Sequence, residues 1–428
     1  MISVITPTHD PRFLAATAES LAAQTYQGEW EWVIVPNGPA RGQCELFGGA
    51  LNLRPITWRV IHYPEGAPQT IGGIKRFACE QARGDIIVEL DHDDVLAPDA
   101  LETVAAVMAA DRELSFVYSN FAEFRDGTWD PHRYDARYGW LYRDAEVCGH
   151  KVAEAIAFEP SAASIASIYF APNHLRAWRA ADYWRIGGHN AEMLVADDHD
   201  LVCRFYLAGQ LAHIDRCLYL YRMHGNNSYC TLQTNVRKAA EDVRDLYIHR
   251  LVRRWADLNN LPMLDLCSGP QPPEGYEGVD MRHENADLDH HVTRWDLDQA
   301  PWPWPDNSFG VMRAVDALEH LRNPIQTMQE IYRVLAPGGW LLSMTPSTDG
   351  RGAFQDPTHV SFWNQNSFAY WIKANFQRFL PPVKARFQAV RLVTWFPSEW
   401  HKDQNINYVT ADLVALKDGY RAPGLVEI

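Results

Sequence analysis

Short apolar runs alternate with helical stretches twice along this chain, and a charge-rich stretch separates the two series. In the first, "ISVITPT", "EWVIVPNG", "WRVIHYP" and "DIIVELD" accompany helical patterns through "RFLAATAESLAAQ" and "GGIKRFACEQARG". In the second, "PMLDLCSG", "YEGVDM", "FGVMRAVDALEHL" and "GGWLLSMTPS" accompany a helix through "PIQTMQEIYRVL". Such alternation predicts parallel sheets with helices on their faces, so the chain is expected to be α/β with two domains. Between them, "TNVRKAAEDVRDLYIHRLVRRWADLNN" has apolar residues at helical spacing, many charges and no Gly or Pro, which predicts a connecting helix. The expected boundaries are 1–230, a connecting helix over 231–260, and 261–428. A length of 428 residues agrees with two cores.

Composition narrows the partners. The seven cysteines (Cys44, Cys79, Cys148, Cys203, Cys217, Cys230, Cys267) are scattered and include no CxxC pair, which argues against a disulfide framework or a zinc site and for a reducing compartment. The start "MISVITPTHDPRF" lacks a basic segment followed by an apolar core, and no apolar run reaches the roughly 18 residues of a membrane span. The expectation is a cytoplasmic protein without a transmembrane segment, with room for transient contact at a membrane surface. A formal charge of −15 disfavours nucleic acid as a partner.

The stretch "VELDHDDVLAP" places Asp91, Asp93 and Asp94 directly after an apolar strand. A turn is the plain alternative, since Asp and Pro favour turns. In an open α/β sheet, however, ligands bind beyond the carboxyl ends of strands, and two carboxylates there can share a hard divalent cation that also takes phosphate oxygens.

Three ordered segments weigh against the turn: "ITPTHD", "IGGIKRFACEQARGDIIVELDHDD" and "YWRIGGHNAEMLVADDHDLVCRFYLAG". With the close "YLYRMHGNNS", they resemble the inverting GT-A glycosyltransferases of the large family 2 type over residues 1 to about 230. The resemblance implies a Rossmann-like nucleotide-diphospho-sugar transferase fold and a nucleotide-sugar donor. Pro7, Asn37, Lys75, Asp91 and Asp93 would then line the donor site. Asp91, Asp93 and His224 would hold Mn2+ or Mg2+, and Asp198 in "ADDHDL" would be the general base, with Asp197 next in line. The competing role for Asp197 and Asp198 is a helix N-cap, and for His224 a structural hydrogen bond. The family's second strand often ends in "VDDGS", whereas this chain reads "VIVPNGPA"; Asn37 stands where an aspartate commonly reads the base. An amide both accepts and donates, so the base stays open, with a UDP-sugar favoured.

In the second series "MLDLCSGPQPPEGYEGVDM" gives a strand, a Gly-bearing loop and a strand ending in Asp280, a carboxylate suited to ribose hydroxyls. "RWDLDQAPWPWPDNSFGVMRAVDALEHL" and "EIYRVLAPGGWLLSMTPS" follow. Together these resemble class I S-adenosylmethionine (SAM)-dependent methyltransferases, over residues 261 to about 350, although Ser268 replaces a usual Gly. The resemblance implies a second Rossmann-like fold in which Asp265 and Gly269 shape the methionine end of the SAM pocket, Asp280 holds the ribose, and Asp296 with Leu297 borders the adenine. "PGGW" reads as a plain turn and the "PWPWP" aromatics as packing. Candidate bases for methyl transfer are His320 in "LEHL" and the "DPTH" group of Asp356 and His359, against loop or helix-end histidines. No metal triad is evident in this half.

The resulting expectation is a bifunctional enzyme. It would transfer a sugar from a nucleotide-sugar donor to a glycan or lipid-linked glycan in polysaccharide biosynthesis and methylate the product, with a sugar oxygen as the expected methylated atom. Two alternatives stand beside it: a methyltransferase-like half that only binds or scaffolds, and a non-glycan acceptor such as a protein, a small molecule or a modified nucleobase.

Overall fold

The computed structural model describes residues 1–42, 57–125, 133–224, 233–281 and 292–424. Cys44 and Cys230, and the "GNNS" end of the family-like close, lie outside the described residues. The chain divides into two compact units, Met1–Ala136 with Trp140–Leu251, and Arg137–Gly139 with Val252–Ile428.

The strands of the first unit are β1 (Ile2–Thr8), β2 (Trp30–Pro36), β3 (Thr57–Val60), β4 (Ile86–Glu89), β5 (Val95–Leu96), β6 (Leu114–Arg125), β7 (Leu141–Val147), β8 (His150–Ile156), β9 (Arg176–Arg179) and β10 (Gln210–Met223). They form one sheet in the order β3-β2-β1-β4-β9-β6-β10-β5, with the β7–β8 hairpin paired to β6. The first four positions are parallel, but β9 runs antiparallel to both β4 and β6, so the sheet is mixed rather than wholly parallel. Its helices include α1 (Leu14–Ala22), α2 (Ile71–Gln81), α3 (Ala100–Ala110) and α4 (Asp197–Ala208). Thr70 starts α2 by accepting the Gly73 N–H at 3.0 Å. Three acids, Asp197, Asp198 and Asp200, occupy the first turn of α4, where the helix dipole favours negative charge. Trp32, Phe116, Trp178 and Phe205 are fully buried.

A helix α5 (Gln233–Leu258) runs through the charge-rich stretch. The unit boundary at Leu251 and Val252 falls inside it.

The second unit contains β11 (Met263–Leu266), β12 (Glu277–Asp280), β13 (Val292–Arg294), β14 (Phe309–Val315), β15 (Leu335–Pro346), β16 (Phe387–Trp395) and β17 (Tyr408–Ala415), with helices α6 (Pro324–Val334) and α7 (Gln365–Ile372). The sheet order is β13-β12-β11-β14-β15-β17-β16, parallel up to β15, with β17 antiparallel to both its neighbours. The strand order reverses at β11 and β14, which opens a crevice at their carboxyl ends. Asn323 caps α6 by accepting the Gln326 N–H, and Pro324 occupies its first turn. "PGGW" does not form a separate turn: it lies within β15, where Gly338 has φ +75° and the pairing with β14 shifts register. Trp302 is buried in the core with Trp304 packed against it, as expected of packing aromatics.

Candidate active sites

In the first unit, Asp91 to Asp94 lie just beyond β4, beside the end of β1. Neighbouring elements fix this acidic turn. Thr17 of α1 donates to the His92 and Asp94 carbonyls, and Arg222 of β10 donates its Nε–H to the Asp93 carbonyl at 2.7 Å. Asp94 is fully buried and accepts from Tyr219 Oη and the Arg222 N–H, each at 2.7 Å. It therefore positions the turn.

The three expected metal ligands separate into two contacts. Asp93 accepts from His224 Nε2 at 2.8 Å, while Asp91 joins Asp94 and His174 in a group whose ligand atoms all lie within 4.8 Å of one another. Desolvation, with Glu89 and Asp93 adding to it, outweighs Lys75 and Arg176 and pushes the Asp91 carboxyl up to about 6. Burial holds the His174 imidazole well below its ordinary value, hence neutral. Excess negative charge beside a neutral imidazole fits a divalent cation. Pro7 ends in the parallel register beside Val35, and Asn37, half-buried after β2, donates its backbone N–H to the Thr8 carbonyl at 2.8 Å.

Beneath the turn lies a buried charge network in which the sequence pointed to Lys75, Asp197 and Asp198 but not to the residues that join them. Lys75 Nζ meets Glu89 Oε1 at 2.7 Å, and Arg176 bridges Glu89 Oε1 at 2.8 Å and Asp198 Oδ2 at 2.7 Å. Lys75 is thus committed to Glu89, with Asp197 Oδ2 3.9 Å away. Glu89 lies within "DIIVELDHDD" without an assigned role there, and Arg176 falls outside every motif named above. A carboxylate inside the apolar run "IIVEL" was the available signal, because a buried charge needs a partner. Burial raises the Glu89 pKa, yet Arg176, Lys75 and His189 hold it down at about 2.

Asp197 and Asp198 differ sharply. Asp198 keeps a side-chain exposure of 26% against 4% for Asp197, so only Asp198 is open to an incoming molecule. Burial opposes ionisation of Asp198, but Arg176 and Lys75 prevail and hold its carboxyl below the usual range. Asp197 is pushed up to about 7 by burial, with Asp198 and Glu89 adding to it, and its Oδ2 has no hydrogen-bond partner. Ala196, immediately before the pair, has φ +59°, a strained conformation for a residue with a side chain.

In the second unit the loop after β11 begins with Cys267 at φ +52°, and Gly269 follows at φ +61°. Nothing lies within 4 Å of where a Gly269 Cβ would project, which leaves an open cradle over this loop. The Gly269 N–H donates to Asp280 Oδ2 at 3.0 Å, tying the loop to the end of β12. Asp265 is buried and paired with Arg313 at 2.7 Å, with burial raising its pKa. Asp296 closes a turn by accepting the Asp298 N–H at 3.0 Å. Leu297 places its side chain in the core, and its carbonyl accepts from Trp302 Nε1. The open glycine cradle between two carboxylates fits a cationic, ribose-bearing cofactor of the SAM type. At the end of β14, His320 and His359 come together, with ring centroids 5.1 Å apart. Asp356 instead accepts from Thr358, at both its N–H and its hydroxyl.

These two sheets, each with a site at its strand-order reversal, define a two-domain α/β protein of the transferase type. Residues 3–167 match the model for glycosyl transferase family 2, and residues 259–411 match a methyltransferase domain. The chain is a fusion of a family 2 glycosyltransferase domain with a methyltransferase domain. It is 26% identical over 222 residues to the O-antigen biosynthesis protein RfbC of Myxococcus xanthus, covering 51% of this chain and 16% of that protein. It is 24% identical over 230 residues to the hyaluronan synthase of Pasteurella multocida, covering 53% of this chain and 21% of that one. The demethylmenaquinone methyltransferase of Chlamydia trachomatis serovar D is 30% identical over 135 residues, 27% of this chain and 55% of that protein. The chain thus spans well under two thirds of each relative. Among solved structures, S. aureus TarS with UDP-GlcNAc aligns at a TM-score of 0.43 and 16% identity, over 60% of this chain and 72% of that one.

Among the described residues, no helix is long and apolar enough to cross a membrane.

Proposed function

We propose that the chain is a bifunctional enzyme: its first unit transfers a sugar, with inversion, from a nucleotide-sugar donor to a glycan, and its second methylates a hydroxyl of the product. The observation that carries the first half is the Arg176 bridge. It keeps Asp198, whose side chain stays partly open, ionised beside the buried Glu89 of β4, the strand that leads into the acidic turn. Asp198 would accept the proton of the acceptor hydroxyl as the sugar's anomeric carbon is attacked from the opposite face. Asp91, Asp93 and His174 would hold Mn2+ or Mg2+, with His224 orienting Asp93; the cation neutralises charge on the departing diphosphate. Pro7 and Asn37 would border the nucleotide, with a UDP-sugar favoured, while Lys75 acts through Glu89.

A second reading gives the base role to Asp197, because its pKa of about 7 suits proton transfer near neutrality. Access favours Asp198, since a base must touch the acceptor.

For the second unit, Gly269, Asp265 and Asp280 would frame SAM, with Asp296 and the Leu297 backbone beside its adenine. The cofactor supplies an activated methyl group. His320 and His359 would face the acceptor oxygen and orient it. Two active sites on one chain raise the effective concentration of a shared substrate. The polysaccharide and lipid-linked glycan classes of acceptor follow from this reading, as does action in the cytoplasm.

The test is incubation of the full chain with a panel of nucleotide sugars and Mn2+, reading thermal stabilisation, then product mass with and without SAM. A cognate donor should raise the melting temperature only with metal, and the product should gain a methyl group only with SAM. A sugar product that never gains a methyl group would leave the scaffold alternative in place of methylation.

A further inference from the structure

Glu319, His320 and His359 stand together at the end of β14, with one ligand atom from each lying within 4.8 Å of the others. The backbone forces this meeting. Val360 and Ser361 donate their N–H groups to the Glu319 carbonyl at 2.8 and 3.0 Å, and Ser361 Oγ donates to the Leu318 carbonyl at 2.8 Å. The "PTHVSF" loop is thereby clamped onto the "LEH" turn, with Asp316 at the turn's start held at φ +49°.

The hydrogen bonds also fix which nitrogen of each ring is available. His359 Nδ1 lies 2.9 Å from the Ala353 carbonyl, which can only accept, so Nδ1 carries the proton. His320 Nδ1 lies 3.2 Å from the Thr358 carbonyl and 3.2 Å from Thr358 Oγ1, whose own proton goes to Asp356 at 2.7 Å. That Nδ1 is a donor as well. In the neutral rings both Nε2 atoms therefore present lone pairs, the tautomer that outer hydrogen bonds to backbone carbonyls set for metal-ligating histidines.

Glu319 supplies the independent sign of a ligand. It is 2% exposed; its Oε2 accepts from Thr345 Oγ1 at 2.6 Å, but its Oε1 is buried with no hydrogen-bond partner. A buried carboxylate oxygen without a donor is costly unless something cationic meets it.

We infer that Glu319, His320 and His359 bind a divalent transition-metal cation through one carboxylate oxygen and two Nε2 atoms. Two imidazoles and one carboxylate suit Zn2+, Mn2+ or Co2+ better than Mg2+ or Ca2+, which prefer oxygen. Three protein ligands leave open positions, the arrangement of a working rather than a purely structural site. On the methyltransferase reading proposed above, those positions take oxygen atoms of the acceptor, so the two histidines hold the acceptor through the cation instead of removing its proton. The cation site itself stands on the side-chain geometry alone.

The test uses the full chain stripped of metal, with Zn2+ alone as the probe and Asp91→Asn with Asp93→Asn as the background that silences the first unit. Equilibrium dialysis should find one equivalent of Zn2+ retained in that background and lost on adding His359→Ala. Glu319→Gln, nearly isosteric and still able to accept from Thr345, should weaken Zn2+ at least tenfold while circular dichroism stays unchanged. It decides the matter if His359→Ala does not fold. Co2+ in place of Zn2+ should give a visible absorption band that His359→Ala or His320→Gln abolishes. Equal Zn2+ retention by the background, His359→Ala and Glu319→Gln overturns the inference, as does no retention at all. SAM calorimetry on the same samples separates the two readings: SAM binding without the Zn2+ equivalent removes only the cation site, and the Zn2+ equivalent without SAM binding removes only the methyltransferase reading.

Discussion

In the first unit Lys75, Glu89, Arg176, His189, Asp197 and Asp198 meet in a region nearly closed to water. Among the described residues, the crevice of the second unit shows a glycine N–H donated to Asp280 and an ion pair between Asp265 and Arg313. On the function proposed above, the contrast follows from what each place would hold. A diphosphate and its cation bring concentrated charge, which a preorganised ionic network can meet without reorganising. A cofactor carrying a ribose and a single sulfonium needs shape and a few acceptors, which a loop with positive φ at Cys267 and Gly269 provides. The first site should therefore break through unpaired charges, and the second through lost contacts.

The largest effect is expected from Arg176→Met. Arg176 and Glu89 have side-chain exposures of 5% and 3%, so the substitution leaves Lys75 as the cation hydrogen-bonded to Glu89 and strips Asp198 of its ion-pair partner. Loss of a buried partner costs about 3–5 kcal/mol, to be read from urea unfolding of the first unit's tryptophan signal. The acid limb should move as well. With its folded pKa at about 2, below its ordinary value, Glu89 contributes stability that is fully present above the ordinary carboxylate range and lost as pH falls through about 2. Arg176→Met raises the folded pKa of Glu89 toward its unfolded value, so this acid-dependent loss should become smaller and be complete at a higher pH. An unchanged urea midpoint would show that the network contributes nothing.

Asp198→Asn should come next, lowering sugar transfer by about a hundredfold or more while donor binding persists, since the amide keeps the shape but cannot take a proton. Steady-state kinetics against donor calorimetry separates the two effects. Near-normal turnover would transfer the base role to Asp197.

Asp280→Ala tests the other side of the comparison. On the proposed function it would remove an acceptor for ribose hydroxyls, and it removes the tie to Gly269; charge-assisted bonds are worth about 1.5–3 kcal/mol each. SAM affinity should fall by at least about tenfold in calorimetry, with little change in the unfolding of the first unit. Undiminished affinity would remove Asp280 from the cofactor site.

The smallest effect is expected from Asp197→Asn, and its sign is informative. With a folded pKa of about 7, Asp197 keeps its proton in the fold at pH values where the unfolded chain has released it. Its contribution therefore declines as pH rises from about 4 to about 7. Asn has no such proton to lose, so the variant should match or slightly exceed the native chain in stability above pH 7. A marked loss of stability there would mean that Asp197 is ionised and paired in the fold.

The sequence by itself determined the α/β class of both halves, the turn beyond β4 and the glycine loop after β11, because strand and helix periodicity and turn chemistry are local properties of the chain. The helix over Gln233–Leu258 was legible for the same reason. The antiparallel insertion of β9 between β4 and β6 was not, since strand pairing depends on long-range burial that periodicity does not encode. That pairing sets Arg176 opposite Glu89, 87 residues away in sequence, and so decides which carboxylate is held ionised. "LEHL" and "DPTH" offered two separate histidines. Only the folded loop, clamped to the Glu319 carbonyl, brought both rings to one buried carboxylate and fixed their protonated nitrogens, because hydrogen-bond partners are assigned by proximity in space.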